Sequence, residues 1–397
     1  MDFALNDQQK MLVATVRRFI DEELRPLEDE VEQQGFLDPG KARALLGKSR
    51  ALGLYATNMP ERFGGGGLGA VDTMLLEEQF GHTTDILIRR AFGNVYEVLL
   101  AARGEQVGRW LEPTVRGERV CSIAITEPGA GSDAGSITTR AVKTADGWRL
   151  SGSKHFISDG EVSDFFVVSA LTDDPGAKEE KEKGKKRISL FLVDKGLPGF
   201  TLGKDQKMMG LRGTSHLELW FDKVPLEPIA LLGDEGKGLQ QALGVLGRVR
   251  LAQVGARAVG KASHVLQLMT DYAAQRKQFG QPIADFQLVQ QMLADSVIDI
   301  NSARLMVLHA AWMIDQGLDA RDWISMVKVQ AAEMLGRVTD RAVQVFGGMG
   351  YCKELPIERY YRDARIYRIF DGTSEIHRTV IARSLMRHGA ALFDIKA

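Results

Sequence analysis

From Asn6 onward, apolar residues return at helical intervals. Leu12, Val16, Phe19 and Ile20 fall three and four apart, and Asn6 with Gln9 has the spacing of a capping box. This texture predicts a helical domain over residues 1–120. The glycine run Phe63 to Gly67 interrupts it; the run lacks the Gly-Lys-Ser/Thr ending of a P-loop and follows no strand pattern, which predicts an interhelical loop. Near Val120 the pattern changes to short β-rich runs: VCSIAIT, RAVKT, WRLSGSKHFIS, FFVVSALT, ISLFLVD and HLELWFDKV, with Asp146-Gly147 as a turn. These runs predict a β-sheet domain, barrel or sandwich, over 121–230, with Pro225 and Pro228 marking its exit. Beyond it the helical period returns, most clearly through Val327, Ala331, Leu335, Val338, Ala342 and Val345, closed by Gly347-Gly348. With no repeat of fixed period, residues 231–397 are expected to form a four-helix bundle. The fold class is therefore α+β and multidomain, in the order helices, sheet, helices.

Composition narrows the function classes. At 397 residues the chain exceeds what a single core holds, so several packed units are expected. Its 51 basic and 52 acidic residues nearly cancel, and no global field draws it to nucleic acid or to an anionic bilayer. Cys121, Cys352 and seven scattered histidines show no zinc spacing, which predicts no metal site and a reducing compartment. No window approaches the ~18 apolar residues needed to span a membrane, and MDFALNDQQK has no leader pattern, so the expected location is cytoplasmic. The mixed-charge stretch KEEKEKGKKR, 178–187, is expected to be a solvated loop.

Five stretches hold residue types suited to chemistry. ITEPGAGSD, 125–133, leaves a strand for a loop in which glycines admit a ligand to the backbone, while Thr126 and Ser132 offer hydroxyls; an ordinary acidic turn has the same composition. GSKHFIS, 152–158, pairs aromatic Phe156 with Ser158 and suits either a flat cofactor or a half-buried strand. QRKQFG, 275–280, puts basic residues at a helix end, where they need no ligand. In AVQVFGGMGY, 342–351, the glycines fit a phosphate-bearing chain or a plain C-cap. RIFDGTSEIHR, 368–378, sets Asp371 beside Gly372, as an N-cap or as a base.

In this order and spacing, the five motifs resemble the acyl-CoA dehydrogenase family over essentially the whole chain. The resemblance implies FAD as cofactor and a homo-oligomer, a tetramer or a dimer. Ile125, Thr126 and Gly131 look like the loop at the flavin edge, Ser132 like a cofactor and acyl-CoA contact, and Phe156, Ile157 and Ser158 like residues against the ring face. Arg276, Gln278, Phe279 and Gln287, with Gln344, Gly347 and Gly348, resemble residues that a neighbouring subunit extends to the cofactor's adenine and diphosphate end. Thr373 and Glu375 resemble residues closing over the diphosphate. The implied reaction removes a proton from Cα of an acyl-CoA thioester while Cβ gives a hydride to the flavin, with electrons passing to an electron-transfer flavoprotein.

The family's base is usually a glutamate in a sequence like YEGTS; here Phe370, Asp371, Gly372, Thr373 and Ser374 stand in its place. One methylene fewer draws the carboxylate back by roughly 1.5 Å. Three explanations stand open: a closer loop or substrate with Asp371 as base, another carboxylate, or lost dehydrogenation. Residues 243–255 hold no carboxylate; Glu97, inside the apolar run NVYEVLL, is another candidate pocket carboxylate, although an exposed helix position is the more ordinary expectation. The family arginine near the base is matched by Arg250 or Arg248, and Gly372 joins the substrate-side set. Two other functions carry distinct signals: a flavin oxidase of the nitroalkane type, which also uses aspartate, and a DNA- or partner-binding relative without turnover. For the latter the basic residues Arg359, Arg362 and Arg365 recur at helical spacing; a subunit or cofactor contact is the expected use of that patch.

Overall fold

The computed structural model describes residues 4–93, 95–172 and 187–394. Asn6 and Gln9 form the reciprocal capping box that opens the helix Asp7–Phe19. Helices continue through Ala70–Phe80 and Asp85–Phe92 to a short final turn, Glu112–Val115. The Phe63–Gly67 run is a loop whose amides face inward: Gly66 and Gly67 donate to the carbonyls of Ala56 and Met59 at 3.1 and 2.9 Å, leaving no cradle for a phosphate.

Eight strands follow: β1 Cys121–Ala124, β2 Arg140–Thr144, β3 Gly147–Ser158, β4 Phe165–Leu171, β5 Ile188–Asp194, β6 Phe200–Asp205, β7 His216–Leu226 and β8 Leu231–Leu232. They form one mixed sheet in the order β6-β7-β3-β2-β4-β5-β8, with β1 parallel to β4. β4 is buried along its whole length because both of its faces are covered. Phe166 and Val168 point into the sheet's own core with Trp148, Leu150 and Phe221, while Phe165 and Val167 pack with Trp110 and Leu111 of the N-terminal part. Strands β6 and β8 are absent from the sequence reading. The predicted solvated loop 178–187 lies outside the described residues apart from Arg187.

The C-terminal part is built on four long elements: Gly238–Val249 running through a wide π-helical turn, Arg250–Ala256, into Arg257–Gln275; then Gln287–Asp315, Arg321–Phe346 and Ser374–His388. Their shared core includes Val254, Val259, Met269, Val307, Leu335 and Val338, so the apolar stripe predicted in Arg321–Phe346 is the buried one. Two expectations need correction. Gln287–Asp315 is by length and composition apolar enough to cross a membrane, with a mean hydropathy of 1.2; it packs into the bundle through Ala303, Val307 and Ala310, with Leu288, Ile298 and Leu305 exposed. The arginines of the basic patch are largely used internally: Arg359 pairs with Glu28 at 2.6 Å, and Arg362 with Glu32 at 2.7 Å and with Glu358. That removes most of the charge that a nucleic acid or a cofactor contact would need.

The N-terminal and C-terminal helices cross at a point with no room for a side chain. A Cβ on Gly260 would lie 1.7 Å from the Glu78 carbonyl oxygen, and one on Gly81 would lie 2.3 Å from the Arg257 carbonyl oxygen. Gly260→Ala is expected to lower unfolding stability by about 1–3 kcal/mol in chemical denaturation, although Ala is the better helix former by about 1 kcal/mol. Here the backbone clash outweighs propensity.

Candidate active site

The loop Ile369–Thr373 joins a short helical turn to the helix Ser374–His388. Asp371 does not cap that helix: Thr373 is its N-cap, accepting the Ile376 N–H at 3.2 Å. Asp371 instead takes a left-handed backbone, φ 55°, with Gly372 next to it at φ 88°. Such a conformation is uncommon outside glycine and is tolerated best by Asn and Asp. Its carbonyl oxygen accepts two side-chain donors, Arg250 Nε at 2.7 Å and His377 Nε2 at 3.2 Å. Burial holds His377 down to about 4, so the ring is neutral and carries its hydrogen on Nε2 toward that carbonyl. The residue as a whole is half-buried. Burial raises the Asp371 pKa above the ordinary aspartate value, opposed by the charges of Arg250, Lys328, Arg89 and Arg257.

Of the two candidate arginines, Arg250 is the one at the base; its place in the π-helical turn aims it there, as such turns often do at functional sites. Arg248 lies 3.5 Å from Glu97. Glu97 is not an exposed helix position. Its side chain is 12% accessible, and burial pushes its pKa up. It lines a cavity of about 80 Å³ with Met74, Phe92, Tyr96, Leu251 and Arg257. Burial raises the Tyr96 phenol to about 12.

The first two motifs meet at the end of the sheet. His155 N donates to Thr126 O at 2.8 Å, and Lys154 Nζ donates to Ile125 O at 3.0 Å, so the loop leaving β1 is fixed beside β3. Phe156 is half exposed with φ 58°, and its ring stacks on His155. Ser158 is partly exposed; Gly131 and Ser132 lie on the open side of the loop. The Ile157 side chain is buried in the sheet core, leaving only its backbone for a ligand. Two residues that the sequence reading missed hold this arrangement. Lys154, wholly buried, donates to Glu127 Oε1 at 2.8 Å and to Ser169 Oγ at 3.0 Å. Glu127 also accepts from the backbone of Thr138 and Thr139. Burial would raise the Glu127 carboxyl, but Lys154 and these donors hold it at about 2, while burial draws the Lys154 amine down to about 8.

The third and fourth motifs form a second group. Arg276 ends its helix, and Lys277–Gln278 pairs with Gln281–Pro282 around a tip made of Phe279 and Gly280, both left-handed, as a two-residue hairpin requires. Phe279 is 95% accessible. The helix leading into this hairpin meets the Gly347 end of Arg321–Phe346, where Tyr272 stacks on Phe346. Arg276, Gln278, Gln287, Gln344, Gly347 and Gly348 are all exposed, as is Glu375 beside the half-buried Thr373.

Sequence models of the acyl-CoA dehydrogenase N-terminal, middle and C-terminal domains match residues 6–118, 122–224 and 236–386. The chain is 36% identical to the acryloyl-CoA reductase (NADH) of Anaerotignum propionicum, over 98% of this chain and 96% of that one. It is 35% identical to the cyclohexane-1-carbonyl-CoA dehydrogenase of Geobacter metallireducens, over 98% and 100%. The solved butyryl-CoA dehydrogenase of Megasphaera elsdenii superposes with a TM-score of 0.87 at 33% identity, covering 98% of this chain and 100% of that one. The chain belongs to the acyl-CoA dehydrogenase family and is an oxidoreductase acting on CH–CH groups. Members of the family bind FAD, and the residues here fit it: a half-exposed aromatic ring, hydroxyls and open glycines around one loop suit a flat ring with a polar edge.

Proposed function

We propose that this protein catalyses α,β-dehydrogenation of an acyl-CoA thioester with Asp371 as the base. The observation that carries the reading is the Asp371 loop. Its backbone is clasped through the carbonyl by Arg250 and His377, and its carboxylate is desolvated into a stronger base than a free aspartate. Desolvation offsets the lower intrinsic pKa of Asp relative to Glu, about 3.9 against about 4.3. The cavity beside Tyr96 would take the acyl chain. Ile125, Thr126, Phe156 and Ser158 would hold the flavin ring, and Thr373 and Glu375 the neighbouring diphosphate; bound FAD supplies the hydride acceptor. A thioester Cα–H is too weak an acid for a carboxylate alone, so the thioester oxygen needs donors that favour the enolate-like transition state. The N–H of Asp371 is one such donor by family resemblance; the clasped carbonyl fixes the peptide plane that follows it, between Asp371 and Gly372.

The exposed tip at Phe279, the exposed Gln344, Gly347 and Gly348 and the apolar face of Gln287–Asp315 support a homo-oligomer, dimer or tetramer, in which one subunit completes its neighbour's cofactor site. The reading includes an electron-transfer flavoprotein as acceptor and a cytoplasmic place in acyl-CoA metabolism. Anaerobic titration of the yellow protein with acyl-CoAs of varied length and branching tests it: bleaching of the flavin by at least one thioester is expected, and no bleaching with any of them would overturn it.

A further inference from the structure

The cavity beside Tyr96 is small, and its lining is not uniformly apolar. Its volume of about 80 Å³ is roughly half of the ~150 Å³ that admits a benzene, which leaves room for about three heavy atoms. The helix that walls it also reaches the base: Arg250 holds the Asp371 carbonyl at 2.7 Å, and the residues on either side of it, Val249 and Leu251, line the cavity. Among its apolar lining residues, Met74, Phe92, Leu251 and Ile314, stand two carboxylates, Glu77 and Glu97. Glu77 is taken by Arg257, through Nε and through Nη2 at 3.3 Å. Glu97 is held less closely: the half-exposed Arg248 approaches its Oε1 at 3.5 Å, beyond the about 2.7–3.2 Å of a good N–H···O bond, and the Asn58 amide is also in reach. Asn58 in turn donates to Val95 O at 3.1 Å, which fixes the segment that carries Glu97 into the short turn Glu97–Ala101. A carboxylate can accept about four hydrogen bonds, so acceptor capacity is left on a side chain that is nearly closed off from water.

Resting on the reading of this cavity as the acyl site, we propose that Glu97 determines specificity by accepting a hydrogen bond from a neutral donor, a hydroxyl, at the end of a short acyl chain. The charges around it select that class. A terminal carboxylate would meet the Glu97 carboxylate, and a terminal ammonium would meet the Arg248 guanidinium, whereas a hydroxyl meets neither repulsion. A plain alkyl end would cover the Glu97 oxygens without bonding them, which is the costly arrangement for a buried acceptor. Sites built to bond a substrate hydroxyl reject the analogue that lacks it far more strongly than an apolar pocket sorts one methyl from another.

The test compares 4-hydroxybutyryl-CoA with pentanoyl-CoA, which differ only in a hydroxyl or a methyl at the chain end. Calorimetric titration of FAD-loaded Asp371→Asn protein measures their binding without turnover. The hydroxylated thioester is expected to bind at least about tenfold more tightly. Adding Glu97→Leu is expected to abolish that preference, and adding Glu97→Gln, which keeps one acceptor oxygen, to retain part of it. Equal affinity for the two thioesters, or a preference undiminished by Glu97→Leu, overturns the proposal. Tighter binding of glutaryl-CoA than of 4-hydroxybutyryl-CoA overturns it as well, because Arg248 would then be the anchor. Failure of every thioester to bleach the flavin of the unmodified protein would overturn the reading of the reaction instead, so the two failures are told apart.

Discussion

Asp371→Asn is expected to slow flavin reduction by an acyl-CoA by about 10²- to 10⁴-fold in anaerobic stopped flow, with the bound flavin spectrum and melting temperature kept. The substitution is nearly isosteric, and Asn tolerates the left-handed backbone at φ 55°, so the clasp on the carbonyl survives while the proton acceptor is lost. Undiminished reduction would remove Asp371 from the base role. Asp371→Glu tests geometry alone. The longer chain carries the carboxylate about 1.5 Å further into a site built for the shorter one, and a loss of roughly a hundredfold is expected.

Lys154→Met should have the largest effect on stability. It leaves the Glu127 carboxylate buried with its two backbone N–H donors and the Thr138 hydroxyl but without its cation. Breaking such a pair from one side costs about 3–5 kcal/mol, a fall of roughly 4–6 °C in melting temperature for a chain of this length. Because Lys154 also holds the Ile125 carbonyl, the loop that would edge the flavin loosens, and the variant is expected to purify with less FAD. Adding Glu127→Gln should recover part of the stability, since it removes the stranded charge. No recovery would mean that the two side chains act independently.

Much of this was legible in the chain. The β-rich runs RAVKT and ISLFLVD marked β2 and β5 to the residue, and the Asn6–Gln9 box marked the first helix. Strand β6, FTLGKD, escaped because glycine and two charges break its pattern; Gly203 is there because a Cβ would meet the Trp220 ring nitrogen at 2.7 Å. Lys154 escaped because a strand lysine ordinarily reads as solvated. The signal was present all the same: the period-two phase that turns Trp148 and Leu150 inward also turns Lys154 inward. Lys328 falls likewise on the stripe of Ile324, Ala331 and Leu335. The role of Asp371 was undecidable by residue type alone, because Asp371 and Thr373 are both good caps and only the backbone angles separate them. Family resemblance supplied the five motifs as one cofactor site, whereas within a single chain the first two meet at the sheet end and the third and fourth form a separate group.

The ion pairs of Arg359 with Glu28 and of Arg362 with Glu32 join positions about 330 residues apart in sequence, so they also constrain when the chain can finish folding. During synthesis the first helices emerge hundreds of residues before the arginines that clasp them. Contacts of such long sequence separation form late, after the closure entropy of the whole intervening chain has been met. These two clasps of the N-terminal helices thus close only after residues 359–362 have left the ribosome, although the helices already share a core of their own that includes Phe19, Phe80 and Phe92.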